Sequence, residues 1–257
     1  MESRMPSKQP TSAELWAALE KLTPLQRSSV QDAIMTYALG RRFWRNPTSD
    51  LITNEILESL GDRLVMHHAT SRQALSKDKF EFAFEAALKA ANVDAELTKS
   101  RTHPGQDIKI NGVPFNLKTE AAANIKMDYL HVSKWMELGK GAWDIAEQHE
   151  RFLHHLKQYD RILSFRRLSA TEGLTSYELV EIPKDLLLRS ESVEIKMKEN
   201  SKQALIPATI TVLDDDGGTI LELYFDAGSE RKLQVKKIAK AHCIVHATWS
   251  FGTDLAA

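Results

Sequence analysis

Three residue types that phosphoryl chemistry needs lie close together in one stretch: Asp107, Asn116 and Lys118. The stretch reads Gln106-Asp107-Ile108-Lys109-Ile110-Asn111-Gly112-Val113-Pro114-Phe115-Asn116-Leu117-Lys118-Thr119-Glu120. Asn111-Gly112 between alternating apolar residues predicts a hairpin with a two-residue type I′ turn. With those two residues as the loop, Ile110 faces Val113, Ile108 faces Phe115, and Asp107 faces Asn116. Strand side chains alternate between faces. Ile108, Ile110, Val113, Phe115 and Leu117 therefore share an apolar face. Asp107, Asn116 and Lys118 share the other, and Glu120 joins them if the strand continues. Opposed Cβ atoms lie about 4.5–5.5 Å apart, so a carboxylate, an amide oxygen and an ammonium converge. Mg²⁺ takes oxygen ligands and keeps several waters. It lowers the pKa of bound water and neutralises charge at phosphorus, while a neighbouring ammonium orients water and phosphate. Polar residues on the outward face of a strand are also ordinary surface, so the surrounding elements must decide between these readings.

Those elements fall into four stretches. Residues 1–11 read as a disordered leader with Pro6, Pro10 and little to bury. Residues 12–65 read as a helical N-terminal subdomain. Thr11 or Ser12 caps a first helix carrying Leu15, Trp16, Leu19 and Leu22, and Pro24 opens a second with Val30, Ile34, Ala38 and Leu39. A third runs through Leu51, Ile56, Leu57 and Leu60. Residues 66–190 form the mixed α/β middle. There Lys77–Ala91 carries an apolar helical stripe of Phe80, Phe84, Ala87, Leu88 and Ala91. The hairpin follows, then a mostly helical stretch from Ile125 to Tyr159, then strands at Arg161–Leu168 and Ser176–Ile182. Residues 191–257 are β-rich, with strands at Val193–Met197, Ala208–Leu213, Thr219–Phe225, Leu233–Ile238 and Cys243–Trp249.

Composition excludes several classes. The chain has 257 residues and a net charge of −1, so no strongly basic balance advertises a nucleic-acid partner, although a local basic cleft is compatible with it. Its one cysteine, Cys243, rules out an intramolecular disulfide framework and fits a reducing, cytoplasmic setting. No apolar run is long enough for a membrane span, and Met1 to Ser12 lacks a secretory h-region. Gly-rich nucleotide-binding motifs and Gly-x-Ser-x-Gly are absent, which removes support for a nucleotide cofactor or a serine hydrolase.

Other signals carry less. His149-Glu150 with His154-His155 fails zincin spacing, which needs histidines at i and i+4, and reads as a polar helix surface. His67-His68 reads as a loop, and Asp214-Asp215-Asp216-Gly217-Gly218 as a hairpin turn. Arg41, Arg42 and Arg45 around Phe43-Trp44 suit DNA phosphates, or arginines snorkelling from a helix end. Lys232, Lys236, Lys237 and Lys240 suit phosphate contact, or lysines guarding an edge strand.

The hairpin and its surroundings resemble the PD-(D/E)xK nuclease superfamily, and type II restriction endonucleases in particular. The family's aspartate, often after proline, corresponds to Pro104-Gly105-Gln106-Asp107. Its acidic-x-Lys corresponds to Asn116-Leu117-Lys118, and its preceding helix with a Phe-Glu pair to Phe80-Glu81, with Glu85 one turn on. The resemblance covers residues 76–182. Two residues separate proline from aspartate here, and Asn116 stands at the acidic position, as in some relatives. The resemblance implies a restriction-endonuclease-like α/β fold, with a mixed central sheet flanked by helices. It implies Mg²⁺ held by Asp107, Asn116, the Leu117 carbonyl and a carboxylate from Glu81 or Glu120. It further implies Lys118 acting on water and phosphate, cleavage of double-stranded DNA to 5′-phosphate and 3′-hydroxyl ends, and a homodimer. The rival readings are a nicking or repair nuclease of the same fold, or a noncatalytic DNA-binding relative.

Overall fold

Side-chain caps set where the helices begin. Thr11 and Thr23 form reciprocal capping boxes with Glu14 and Gln26, and Thr53, Ser76 and Asp144 cap three further helices. A computed structural model describes residues 10–98, 105–122, 125–171, 173–199, 201 and 203–255. The order is α1 (Ser12–Glu20), α2 (Pro24–Tyr37), β1 (Gly40–Arg45), α3 (Asn54–Thr70), α4 (Lys77–Ala90), β2 (Ala95–Leu97), β3 (Ile108–Ile110), β4 (Val113–Glu120) and β5 (Tyr129–Glu137). Then come α5 (Ile145–Leu156), β6 (Arg161–Thr171), β7 (Leu174–Glu181), α6 (Lys184–Leu188), β8 (Lys196–Met197), β9 (Ala208–Leu213), β10 (Thr219–Asp226), β11 (Lys232–Ala239) and β12 (Ile244–Gly252).

The fold is mixed α/β. A seven-stranded sheet has the order β1-β12-β7-β6-β4-β3-β2, with β4 and β6 parallel and the other pairs antiparallel. Parallel neighbours need a crossover, and β5 and α5 supply it. A second, antiparallel sheet has the order β5-β11-β10-β9-β8. One core packs α3 and α4 against the first sheet through Ile56, Leu60, Phe80, Phe84, Phe115, Leu117, Phe165 and Trp249. The other joins the opposite face to α5 and the second sheet through Trp135, Phe152, Tyr159, Ile162, Leu223 and Val235. The seven-stranded sheet is thus covered on both faces. That decides the fate of the hairpin's polar face: Asn116 and Lys118 are only 1% and 7% exposed.

Several expectations are corrected. Gly40–Arg45 is strand rather than helix, because it pairs with β12 some 200 residues away and lays Phe43 against Gly61 of α3. Tyr129–Glu137 is strand within a stretch expected to be mostly helical. A bulge opposite Leu233–Val235 breaks its alternation between Val132 and Trp135, which hides the period. His67-His68 close α3 rather than forming a loop. The first β-rich strand shrinks to Lys196–Met197. β11 is flanked by β5 and β10, so its lysines do not guard an edge. The first core draws on residues from Leu51 to Phe251. Most of the expected leader, residues 1–9, lies outside the described residues.

Candidate active site

The hairpin register is the one that Asn111-Gly112 predicts: Ile110 opposite Val113 and Ile108 opposite Phe115. Asp107 departs from that register: its N–H goes to the carbonyl of Phe115, the residue paired with Ile108, so it does not stand squarely opposite Asn116 as expected. Its carboxylate is held on two sides. Oδ2 accepts the Leu117 N–H at 2.6 Å, and Oδ1 takes the Lys77 ammonium at 2.8 Å. Lys77 also lies 3.3 Å from Glu81 Oε1. A cation in the first helical turn opposes the macrodipole, and here the two carboxylates offset that cost. Burial pulls the Lys77 pKa down, but attraction to Asp107 and Glu81 leaves it raised. Burial raises Glu81 despite Lys77.

Asn116 is oriented by the Gly105 carbonyl, which can only accept and therefore takes the amide Nδ2–H. The other amide atom, Oδ1, is buried without a hydrogen-bond partner among the described residues. An orphaned carbonyl-type oxygen is costly, and a hard cation is a partner that would satisfy it. The Lys77 ammonium, lodged between Asp107 and Glu81, already marks a cation position in the same cleft. The donor chemistry therefore fits a divalent ion. Among the described residues no three His, Cys, Asp or Glu side chains group for a metal. Such an ion would depend on amide and main-chain oxygens as well as carboxylates.

Lys118 is enclosed. Its Nζ donates to the Trp135 carbonyl at 3.1 Å and lies 5.1 Å from the Trp135 ring centroid. Burial, followed by repulsion from Lys77, brings its pKa down to about 7. An ammonium so poised exchanges a proton near neutrality.

Lys77, Gly105, Asp107, Asn116, Lys118 and Trp135 line one cleft of about 1080 Å³ whose far wall is α5, with Glu150, Arg151, His154 and His155. Three of these positions, and Tyr159 behind them, were not singled out for the site by sequence reasoning. Lys77 left a signal, a cation just after the Ser76 cap where an acid is favoured. His155 was read as polar helix surface, and Trp135 and Tyr159 left no signal, because only the packing of β5 and α5 over the sheet brings the three in. His149 is buried, its Nε2 3.0 Å from Ser190 Oγ, so α5 is not the polar surface expected there.

Other expected residues stand elsewhere. Glu120 accepts Arg166 Nε at 2.6 Å in a buried network with Glu178, which occupies it away from the cleft. Glu85 holds Lys89 and the Leu97 N–H. Arg41 pairs with Asp62 and Glu58 on α3, and Arg45 reaches the Ile52 carbonyl. Arg42 lies exposed on β1. Lys232 and Lys237 pair with Glu230 and Glu222, and Lys236 sits 3.4 Å from the Tyr224 ring centroid. Pro104 lies outside the described residues.

Comparison with known proteins adds a chain-wide result. The model of the SmaI family, described as type II site-specific deoxyribonuclease, matches residues 15–251. The chain is 46% identical over 238 residues to the type II restriction enzyme SmaI of Serratia marcescens, covering 93% of this chain and 96% of that one. No solved structure matches.

Proposed function

The chain belongs to the SmaI family of type II site-specific deoxyribonucleases, and we propose that it cuts its duplex in the cleft of Asp107 and Lys118, with Mg²⁺ as cofactor, as a variant of the PD-(D/E)xK design. Membership makes it a site-specific endonuclease of double-stranded DNA. The observation that carries the assignment of the site is the shared cleft. A clamped carboxylate, an orphaned amide oxygen and an ammonium near neutrality meet in it.

Asp107, Asn116 Oδ1, the Leu117 carbonyl and Glu81 would hold Mg²⁺. The Leu117 carbonyl lies on the same side of its strand as the N–H that Asp107 binds, so it faces that group. When bound, the ion lowers the pKa of its water and neutralises charge at phosphorus. Lys118 orients the attacking water and exchanges its proton at Nζ, held in place by the Trp135 carbonyl. In-line hydrolysis then leaves 5′-phosphate and 3′-hydroxyl ends. Arg42 and the β11 lysines are proposed phosphate contacts beyond the cleft.

Cutting two strands at one site calls for two clefts, which favours a homodimer. Helices α1 and α2 bury no residue of their own and expose Leu15, Trp16, Leu25, Ile34, Met35 and Tyr37. A nine-residue helix is marginal by itself, so we assign this face to the second copy. Among the described residues no helix is long and apolar enough to cross a membrane, and the cytoplasm is the proposed location. The test is incubation with phage DNA and Mg²⁺, beside Lys118→Ala and EDTA controls. Discrete bands from the unsubstituted protein alone support the reading, and unchanged cutting by Lys118→Ala overturns it.

A further inference from the structure

The α5 wall of the cleft carries a hydrogen-bond relay that the chemistry above does not use. Trp135 Nε1–H donates to Tyr159 Oη at 3.2 Å, and Tyr159 Oη lies 3.1 Å from His155 Nδ1. Tyr159 is fully buried. If both neighbours donated to it, its own hydroxyl hydrogen would be a buried donor without an acceptor among the described residues, which is costly. Tyr159 therefore donates to Nδ1, and the imidazole carries its proton on Nε2.

Nε2 lies against Gly105. A Cβ on Gly105 would stand 2.6 Å from His155 Nε2 and 2.9 Å from the Tyr159 ring, and the backbone there has φ +99°. Glycine thus makes room for the edge of the imidazole that carries Nε2. Gly105 is also the residue whose carbonyl orients Asn116. Burial, followed by repulsion from Lys118, holds the His155 pKa at about 4, so the ring is a neutral donor at working pH. Among the described residues Nε2 has no hydrogen-bond partner, and His155 lines the same cleft as Asp107, Asn116 and Lys118.

We propose that His155 is a further catalytic residue, whose Nε2–H donates to a non-bridging phosphate oxygen of the DNA strand in the cleft, and that Tyr159 and Trp135 are positioning residues that set its tautomer. A neutral donor suits this place. It binds a phosphate oxygen without adding a third positive charge beside Lys77 and Lys118, and without repelling a metal ion.

The inference rests on the cleft being the active site, so the test includes Lys118→Ala and Asp107→Ala. Full-length His155→Ala, His155→Gln and Tyr159→Phe are compared for kcat and KM on a duplex carrying a cleavage site mapped on phage DNA. Histidine ¹⁵N spectra are recorded in EDTA. A hydrogen bond to a charged oxygen predicts a loss of about 10- to 100-fold in kcat/KM for His155→Ala. His155→Gln, which keeps an N–H donor, recovers part of it. The spectrum shows the Nε2–H tautomer in the unsubstituted protein, and Tyr159→Phe relaxes that preference and lowers kcat/KM. Unchanged cutting by His155→Ala, or an Nδ1–H tautomer, overturns the inference while the Lys118 and Asp107 variants stay inactive. Full activity in those two variants overturns the active-site assignment itself.

Discussion

The Leu117 N–H donates to Asp107 Oδ2 at 2.6 Å, so the backbone of one hairpin strand aims the carboxylate carried by the other. The opposite oxygen, Oδ1, is held by Lys77. Asp107→Asn keeps an acceptor for Leu117 and loses the charge. Cleavage should fall by at least about a hundredfold, the scale of losing one preorganised electrostatic group. Asp107→Ala also strands a backbone N–H, which costs about 1–3 kcal/mol of stability. Band quantification and urea unfolding separate the two effects.

Lys118 makes stability depend on pH. Its pKa is about 7 in the folded protein against 10.5 ordinarily. Between these values the unfolded chain holds a proton that the folded chain has released. Stability therefore rises as pH climbs from 7 toward 10.5 and is lowest below 7. Urea midpoints in EDTA should follow this slope, and Lys118→Met should flatten it.

Lys77 competes with a metal for Asp107 and Glu81. Lys77→Met should tighten Ca²⁺ binding by about two- to fivefold, the worth of a partly exposed ion pair. Titration calorimetry without DNA reads this directly. Equal or weaker binding would show that Lys77 does not occupy the cation position.

Arg166 is fully buried between Glu120 and Glu178 and also donates to the Lys126 and Tyr129 carbonyls. Arg166→Met leaves the Glu120 carboxylate without its ion pair, while Glu178 keeps Lys240, and should cost about 3–5 kcal/mol. A small change in urea unfolding would mean that water reaches the network.

The α1–α2 face predicts a separable dimer. Trp16→Glu combined with Ile34→Glu should halve the mass in sedimentation while leaving the circular-dichroism spectrum intact, because neither side chain is buried in the chain itself. Cleavage of both strands in one encounter should fall with it.

Local chemistry was legible in the residues alone. Asn111-Gly112 fixes a hairpin register that opposes Ile110 to Val113 and Ile108 to Phe115, and the apolar stripe of Lys77–Ala91 identifies α4 as a packed helix beside it. Those are near-neighbour effects, set by turn conformation and by side-chain period. Where the pattern was broken, as in β5 by its bulge, or where pairing was remote, as between β1 and β12, the reading failed.

By itself, then, the sequence determined which carboxylate, amide and lysine share a strand face, because alternation is a property of the chain. Only the tertiary structure decided that this face is buried under β5 and α5. Burial makes Lys118 a group that titrates near 7, orphans Asn116 Oδ1 and brings His155 to the cleft. It also gave Glu120 to Arg166 and left Glu81 beside Asp107 through Lys77. Desolvation and charge pairing depend on what packs against a residue, and those partners come from segments up to some 50 positions away in the chain.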